Sequence, residues 1–195
     1  MAYKSIISIF VVLLTLAGYI PYILDIFKRK TTPHAFTWFS VSLTAFVAYG
    51  LQIVGGAGVG ALPMLAVSVI CLFVFILSLF RGTKDIKKFD VVFLLLSLVA
   101  LFLWLVVKQP VWSVILITLS EIFGYIPTIR KSWHKPYSET LVLYEISAFR
   151  HGLAILALEK LNILTVLYPS VWALTNLVIT IILLFRRKKV GVQNA

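Results

Sequence analysis

Seven apolar runs, each close to the length needed to cross a bilayer, constrain this chain more than any other feature. They lie near residues 5–27, 36–54, 61–80, 89–107, 111–130, 139–158 and 165–185. Polar or helix-breaking residues at 28–33, 55–60, 81–88, 109–110, 131–138 and 159–164 separate them. A spanning helix takes about 20 apolar residues. The runs are continuous rather than alternating, which argues against a transmembrane β-barrel. A chain of 195 residues that is 61% hydrophobic and 13% charged has no soluble core large enough to hide them. Soluble domains hold about 45–50% apolar and about 25% charged residues. The expected fold is an all-α membrane protein with seven transmembrane helices.

The formal net charge of +11 is not spread evenly. Lys28, Arg29 and Lys30 follow the first run, and Arg81, Lys84, Lys87 and Lys88 follow the third. Arg130, Lys131 and Lys135 follow the fifth, and Arg186, Arg187, Lys188 and Lys189 follow the seventh. Against these stand only Lys4, Lys108 and Lys160 at the opposite ends, with Arg150 inside the sixth run. Short basic clusters between apolar runs argue for topology rather than nucleic-acid binding. The positive-inside rule predicts an external N-terminus and a cytosolic C-terminus, with the plasma membrane of a prokaryotic cell as the expected location. Lys4 followed by the apolar residues 6–17 looks like a signal peptide, but the basic cluster comes after the run, the wrong polarity for export. The first run is therefore expected to be a retained helix. The one cysteine, Cys71, lies within an apolar run and precludes an intrachain disulfide.

An internal repeat organises the runs. Gly18-Tyr19-Ile20-Pro21 recurs as Gly124-Tyr125-Ile126-Pro127, and each is followed by a basic loop containing a proline, Pro33 or Pro136. Leu62-Pro63 near the start of the third run corresponds to Tyr168-Pro169 in the seventh. Leu79-Phe80-Arg81 corresponds to Leu184-Phe185-Arg186. Helices 1–3 thus repeat as helices 5–7. With one helix between them, both units run the same way through the membrane, a parallel repeat. The predicted organisation is a first three-helix unit at 1–81, a linker helix at 82–110, a second unit at 111–189 and a short cytosolic tail at 190–195. The fourth run is apolar all round, which suits a lipid-facing linker with no share in a site.

This 3+1+3 layout, with an external N-terminus and Gly-Tyr-Ile-Pro at the inner ends of helices 1 and 5, resembles the PQ-loop/SWEET superfamily. That superfamily includes SWEET and SemiSWEET sugar transporters, lysosomal cystine and cationic amino-acid exporters, and the KDEL receptor. The Pro-Gln pair is replaced here by Pro21-Tyr22 and Pro127-Thr128. The resemblance implies two bundles that rock about their prolines, and an asparagine on the third helix of each unit that holds substrate beside an aromatic platform. Asn176 sits at the matching depth in helix 7, whereas its counterpart in helix 3 is Ile70.

Several residues are candidates for chemistry. A proline inside a helix removes one backbone hydrogen bond, so Gly18, Pro21, Gly124 and Pro127 form two matched hinges or two static kinks. Counted from the prolines, Asp25 matches Lys131, with Arg130 beside it. An Asp25–Lys131 or Asp25–Arg130 pair would gate the cytosolic mouth, the alternative being solvated interfacial charge. Ionisable residues inside a membrane are costly and functional by default. Glu121 in helix 5 and Arg150 with His151 in helix 6 are expected at similar depth, with a Glu121–Arg150 ion pair the simplest way to hold both. Thr118, Glu121 and Tyr125 share one face of helix 5. Tyr144, Ser147 and His151 form a stripe on helix 6, and Trp172, Asn176 and Thr180 recur along helix 7. These stripes point to a polar cavity at the midplane, or to interhelical hydrogen bonding without a ligand. Trp38, Trp112 and Trp133 fit an interfacial belt, and His34 is expected in a solvated loop.

The function expected from these features is alternating-access movement of a small polar solute such as a sugar or an amino acid, with protons as a possible second partner through Glu121 or His151. The alternative is a receptor or sorting protein on the same scaffold that binds a ligand without moving it. The partners are the bilayer and a small-molecule solute, with homo-oligomerisation open, and no cofactor or metal is called for. Helix 7 has no lysine between 165 and 185 for a retinal Schiff base, and there is no HExxH, GxSxG or P-loop, so no enzyme is expected.

Overall fold

In the computed structural model the described residues are 2–29, 32–82, 88–134, 136–138 and 141–193. They form seven α-helices and no β-strand: α1 (Ala2–Phe27), α2 (Ala35–Val54), α3 (Leu62–Arg81), α4 (Lys88–Leu105), α5 (Pro110–His134), α6 (Leu141–Ala157) and α7 (Ile163–Gln193). Short 3-10 turns at Gly58–Ala61 and Pro136–Ser138 precede α3 and α6. Local chemistry explains several boundaries. His34 caps α2, its Nδ1 accepting from the Thr37 amide at 3.3 Å. Pro63 and Pro110 occupy first-turn positions, where a missing N–H costs nothing.

Five helices are long and apolar enough to cross a membrane: α1, α2, α3 with its preceding turn, α5 and α7. The other two are shorter. Helix α4 contributes the apolar stretch Val91–Leu105. Helix α6 has 17 residues, about 25 Å at 1.5 Å per residue, and carries Glu145, Arg150 and His151 along it. Helix α7 is longer than its apolar run predicts. It continues through the basic residues to Gln193, because Arg and Lys are good helix formers and favour a helix C-terminus. Residues 190–193 are therefore the end of a helix and not a separate tail.

Two sets of helices each share a central partner. Helix α3 lies against both α1 and α2, and α7 lies against both α5 and α6. The sets meet where α1 touches α6 and where α2 touches α5 and α7, while α4 packs on α5 and α2. The main apolar core, including Leu51, Met64, Ile117 and Tyr168, straddles that junction. Outward-facing Leu13, Phe73, Phe149 and Ile181 are exposed, the apolar surface that a bilayer covers.

Helix α4 departs from the sequence expectation. It is not lipid-facing all round, since Ser97 and Ala100 are buried and the Ser97 hydroxyl lies 2.8 Å from that of Thr44 on α2. The Ser113 hydroxyl donates to the Ala100 carbonyl at 2.7 Å, and the Trp104 ring covers Gly50 so closely that any Cβ there would meet it. A single serine and a small residue suffice to give this helix a packing face. Gly50→Ala is therefore expected to lower thermal stability by about 1–2 kcal/mol through overpacking. An unchanged melting temperature in detergent would show that α4 does not seat here.

The two ends of the molecule are held differently. At one end the turn 55–61 interlocks with residues 158–165 of the other set. The Glu159 amide donates to the Ala57 carbonyl at 3.0 Å, and Asn162 Nδ2 to the Gly55 carbonyl at 2.7 Å. Lys4 Nζ from α1 donates to the Leu158 carbonyl at 2.7 Å. Gly56 and Gly58 have φ of 78° and 57°, conformations glycine adopts freely. Gly60 lies backbone against backbone with residue 158. Pro169 adds one more link. Its ring removes the bond that would satisfy the Thr165 carbonyl within α7, and Gln52 Nε2 of α2 donates to that carbonyl at 3.4 Å. At the opposite, basic end, comparable bonds stay within one set. Arg81 donates to the Phe27 carbonyl at 2.9 Å and lies 5.1 Å above the Phe27 ring. Arg186 donates to the Trp133 carbonyl at 2.8 Å and lies 5.2 Å above the Trp133 ring.

Candidate functional site

A cavity of about 70 Å³ lies on the seam between the two sets. One wall comes from α1, α2, α3 and the turn before it, through Tyr19, Val41, Ala45, Gln52, Gly60, Pro63, Met64 and Val67. The other comes from α6 and α7, through Arg150, His151, Ala154, Tyr168, Pro169 and Trp172. A second cavity of about 250 Å³ lies between α2, α4, α5 and α7. Its wall includes Thr37, Ser40, Val41 and Thr44, a helical stripe on α2 at i, i+3, i+4 and i+7, together with Phe93, Glu121, Tyr125 and Trp172. Phe93 brings α4 into the site, contrary to the expectation that this helix has no share in one. Val41 and Trp172 border both cavities.

Trp172 is the hub of the aromatic packing. The His151 ring stacks on it at 5.5 Å with planes 15° apart, and Tyr125 meets it edge-on at 5.0 Å. Its Nε1 is buried without a hydrogen-bond partner. His151 Nδ1 donates to the Ser147 carbonyl at 2.7 Å, since a carbonyl only accepts. Its Nε2 then accepts from Arg150 Nη2 at 3.3 Å, the arrangement of a neutral imidazole. Arg150 Nη1 donates to the Thr15 hydroxyl of α1 at 3.1 Å.

The expected Glu121–Arg150 ion pair is therefore not formed. Arg150 reaches across the seam to Thr15, whose buried position with Ser8 and Val11 puts it on the inward face of α1. Glu121 lines the second cavity. The structure thus brings Arg150, His151 and Trp172 together and sets Glu121 on the far side of Trp172. Ser147 contributes its carbonyl, which orients His151. Tyr144 is buried toward the basic end against Ile179 and Leu183. Asn176 is buried, and its Nδ2 donates to the Trp172 carbonyl of its own helix at 2.7 Å. It borders neither cavity and supports the turn that carries Trp172.

The expected hinge and gate residues are partly described. Gly18 and Pro21 lie on an exposed face of a continuous α1, with open space around Gly18. Gly124, Pro127 and Lys131 fall within α5, and their side chains lie outside the described residues. Asp25 is half-buried and Arg130 exposed, and no ion pair joins them. Trp112 and Trp133 are exposed. Trp38 is half-buried, packs on Tyr22 at 5.3 Å and donates to the Tyr22 hydroxyl at 3.2 Å.

Sequence reasoning missed Gln52, Thr15 and the α2 stripe as site residues, because it searched for charge and found charge only in the second half. The signal that would have found the α2 stripe is the periodicity of small hydroxyl residues at 37, 40 and 44. Compared with protein-family models, curated proteins and solved structures, the chain matches none.

Proposed function

We propose that the chain is a transporter that moves a small polar solute by alternating access between two three-helix bundles, in the manner of the PQ-loop/SWEET superfamily. In this reading the protein has seven spans in a 3+1+3 parallel repeat, α4 being the link. The basic end faces the cytosol and the interlocked end faces outward. The observation that carries the proposal is the seam cavity, bounded by both sets and closed at one end by bonds between them. Such bonds must break for the outer end to open. The Arg81 and Arg186 bonds tie each third helix to its own first helix, so each bundle can turn as a unit. Asp25 and Arg130, which form no ion pair with each other, fit an inner end that is not clamped while the outer end is shut.

The repeat has support beyond sequence. Phe27 and Trp133 hold the same position after Pro21 and Pro127, and each receives the same arginine contact. The carbonyls of Val59 and Thr165, four residues before Pro63 and Pro169, each accept from a side chain of another helix, Ser8 and Gln52.

Glu121, away from Arg150 and beside the second cavity, is the residue assigned to proton coupling. Uptake by proteoliposomes should rise with an imposed proton gradient, and Glu121→Gln should remove that response while leaving gradient-free exchange. Uptake indifferent both to the gradient and to Glu121→Gln would sink the coupling, and saturable binding without any flux would point to a receptor.

A further inference from the structure

The charge balance of the seam cavity points to its ligand. Arg150 is the one formally charged side chain on its wall among the described residues. Its hydrogen bonds go to Thr15 and His151, both neutral. A guanidinium carries five N–H donors, so these two bonds leave donors for a ligand. A buried cation without a counter-charge is costly, and an anion that pairs with it removes much of that cost. Trp172 Nε1 adds a second donor, buried and without a hydrogen-bond partner among the described residues.

Gln52 on the facing wall has the opposite sense. Gln52 commits Nε2 to the Thr165 carbonyl, which fixes the amide orientation, and its Oε1 is buried without a partner. That oxygen lacks a donor. Donors on one wall and a lone acceptor on the other suit a molecule with a carboxylate at one end and a hydroxyl at the other. A sugar offers no negative charge for Arg150. A zwitterion brings an ammonium into a space whose wall holds a cation and no carboxylate. Size narrows the class further: about 70 Å³ admits roughly five waters at about 15 Å³ each, the scale of a three-carbon acid.

We propose that the seam cavity binds a small hydroxy-monocarboxylate, with its carboxylate on Arg150 and Trp172 Nε1 and its hydroxyl on Gln52 Oε1. This assignment rests on the transporter reading only for the claim that the ligand moves, since binding at the seam needs no flux. The test uses the full chain in proteoliposomes with radiolabelled lactate, glucose and alanine, alongside equilibrium binding of the same three to detergent-purified protein. The expected result is lactate uptake and binding, with Arg150→Met weakening binding by a factor of about ten or more and Arg150→Lys recovering part of it. Gln52→Leu should cost lactate more affinity than it costs propionate, which lacks the hydroxyl. Should the arginine variants misfold, competition on the wild-type protein decides. Transport of glucose or alanine that excess lactate fails to inhibit overturns the anion assignment and leaves the transporter reading standing. Saturable lactate binding without flux supports the assignment and removes the transporter reading. No binding or uptake of lactate overturns it outright.

Discussion

Replacing Gly60 with valine is expected to hold the molecule open at the end where residues 55–61 and 158–165 interlock. A Cβ at position 60 would lie 2.5 Å from the Leu158 Cα and 2.7 Å from the Ala157 carbonyl oxygen. Both are backbone atoms, so no side chain can swing aside and the two segments must part. Overpacking of this kind costs about 1–3 kcal/mol, and each 1.4 kcal/mol is a factor of about ten in an equilibrium. The closed arrangement should lose about one to two orders of magnitude in population relative to the open one. Cys71 is the chain's single cysteine and is buried, so Cys71→Ser gives a background without thiols. A cysteine introduced at Ala154, on the cavity wall, then reports access. With the interlocked end outward, as proposed, membrane-impermeant maleimide added outside should label it much faster when Gly60 is valine. An unchanged labelling rate with an unchanged melting temperature would mean that the interlock does not close the path.

The second large effect is expected at Trp172. Truncation to alanine removes the indole that His151 stacks on and Tyr125 abuts, and it merges the two cavities that share this side chain. Large aromatic-to-alanine changes cost about 3–5 kcal/mol in well-packed sites. Trp172 is half-buried, so about 3 kcal/mol is expected, with loss of solute binding. Trp172→Phe separates the two roles. It restores a ring for His151 and most of the stability but lacks Nε1, so ligand affinity should remain reduced by about tenfold, the loss of one good hydrogen bond. Equal recovery of stability and affinity in Trp172→Phe would show that Nε1 has no part in binding.

These effects show which parts of the molecule were legible in the chain. Helix positions followed from runs of apolar residues and from prolines, because length and hydrophobicity act locally. Boundaries departed where a side chain intervened: His34 caps α2, and the basic residues 186–189 extend α7. Arg150, His151 and Trp172 were legible as site candidates, since a charge or a polar face within an apolar run is conspicuous. Their partners were not. Periodicity tells which face of a helix is polar but not which helix it meets, so Arg150 was assigned to Glu121 when it reaches Thr15. Nor does position along α7 tell where a side chain turns: Asn176 is read from the sequence as a substrate ligand, and its Nδ2 donates to its own helix at the Trp172 carbonyl. The role of α4 was hidden because one serine and one alanine carry its packing face.

Trp172 borders both cavities, and this has a consequence for how two ligands would sense each other. The indole is a partition of fixed size, so any rotation that widens the compartment beside Arg150 takes room from the one beside Glu121. Occupancy on one side then alters affinity on the other with no atom shared between the two guests, and linkage requires the influence to be equal in both directions. A single ring in this position would act as a seesaw between a solute and a proton.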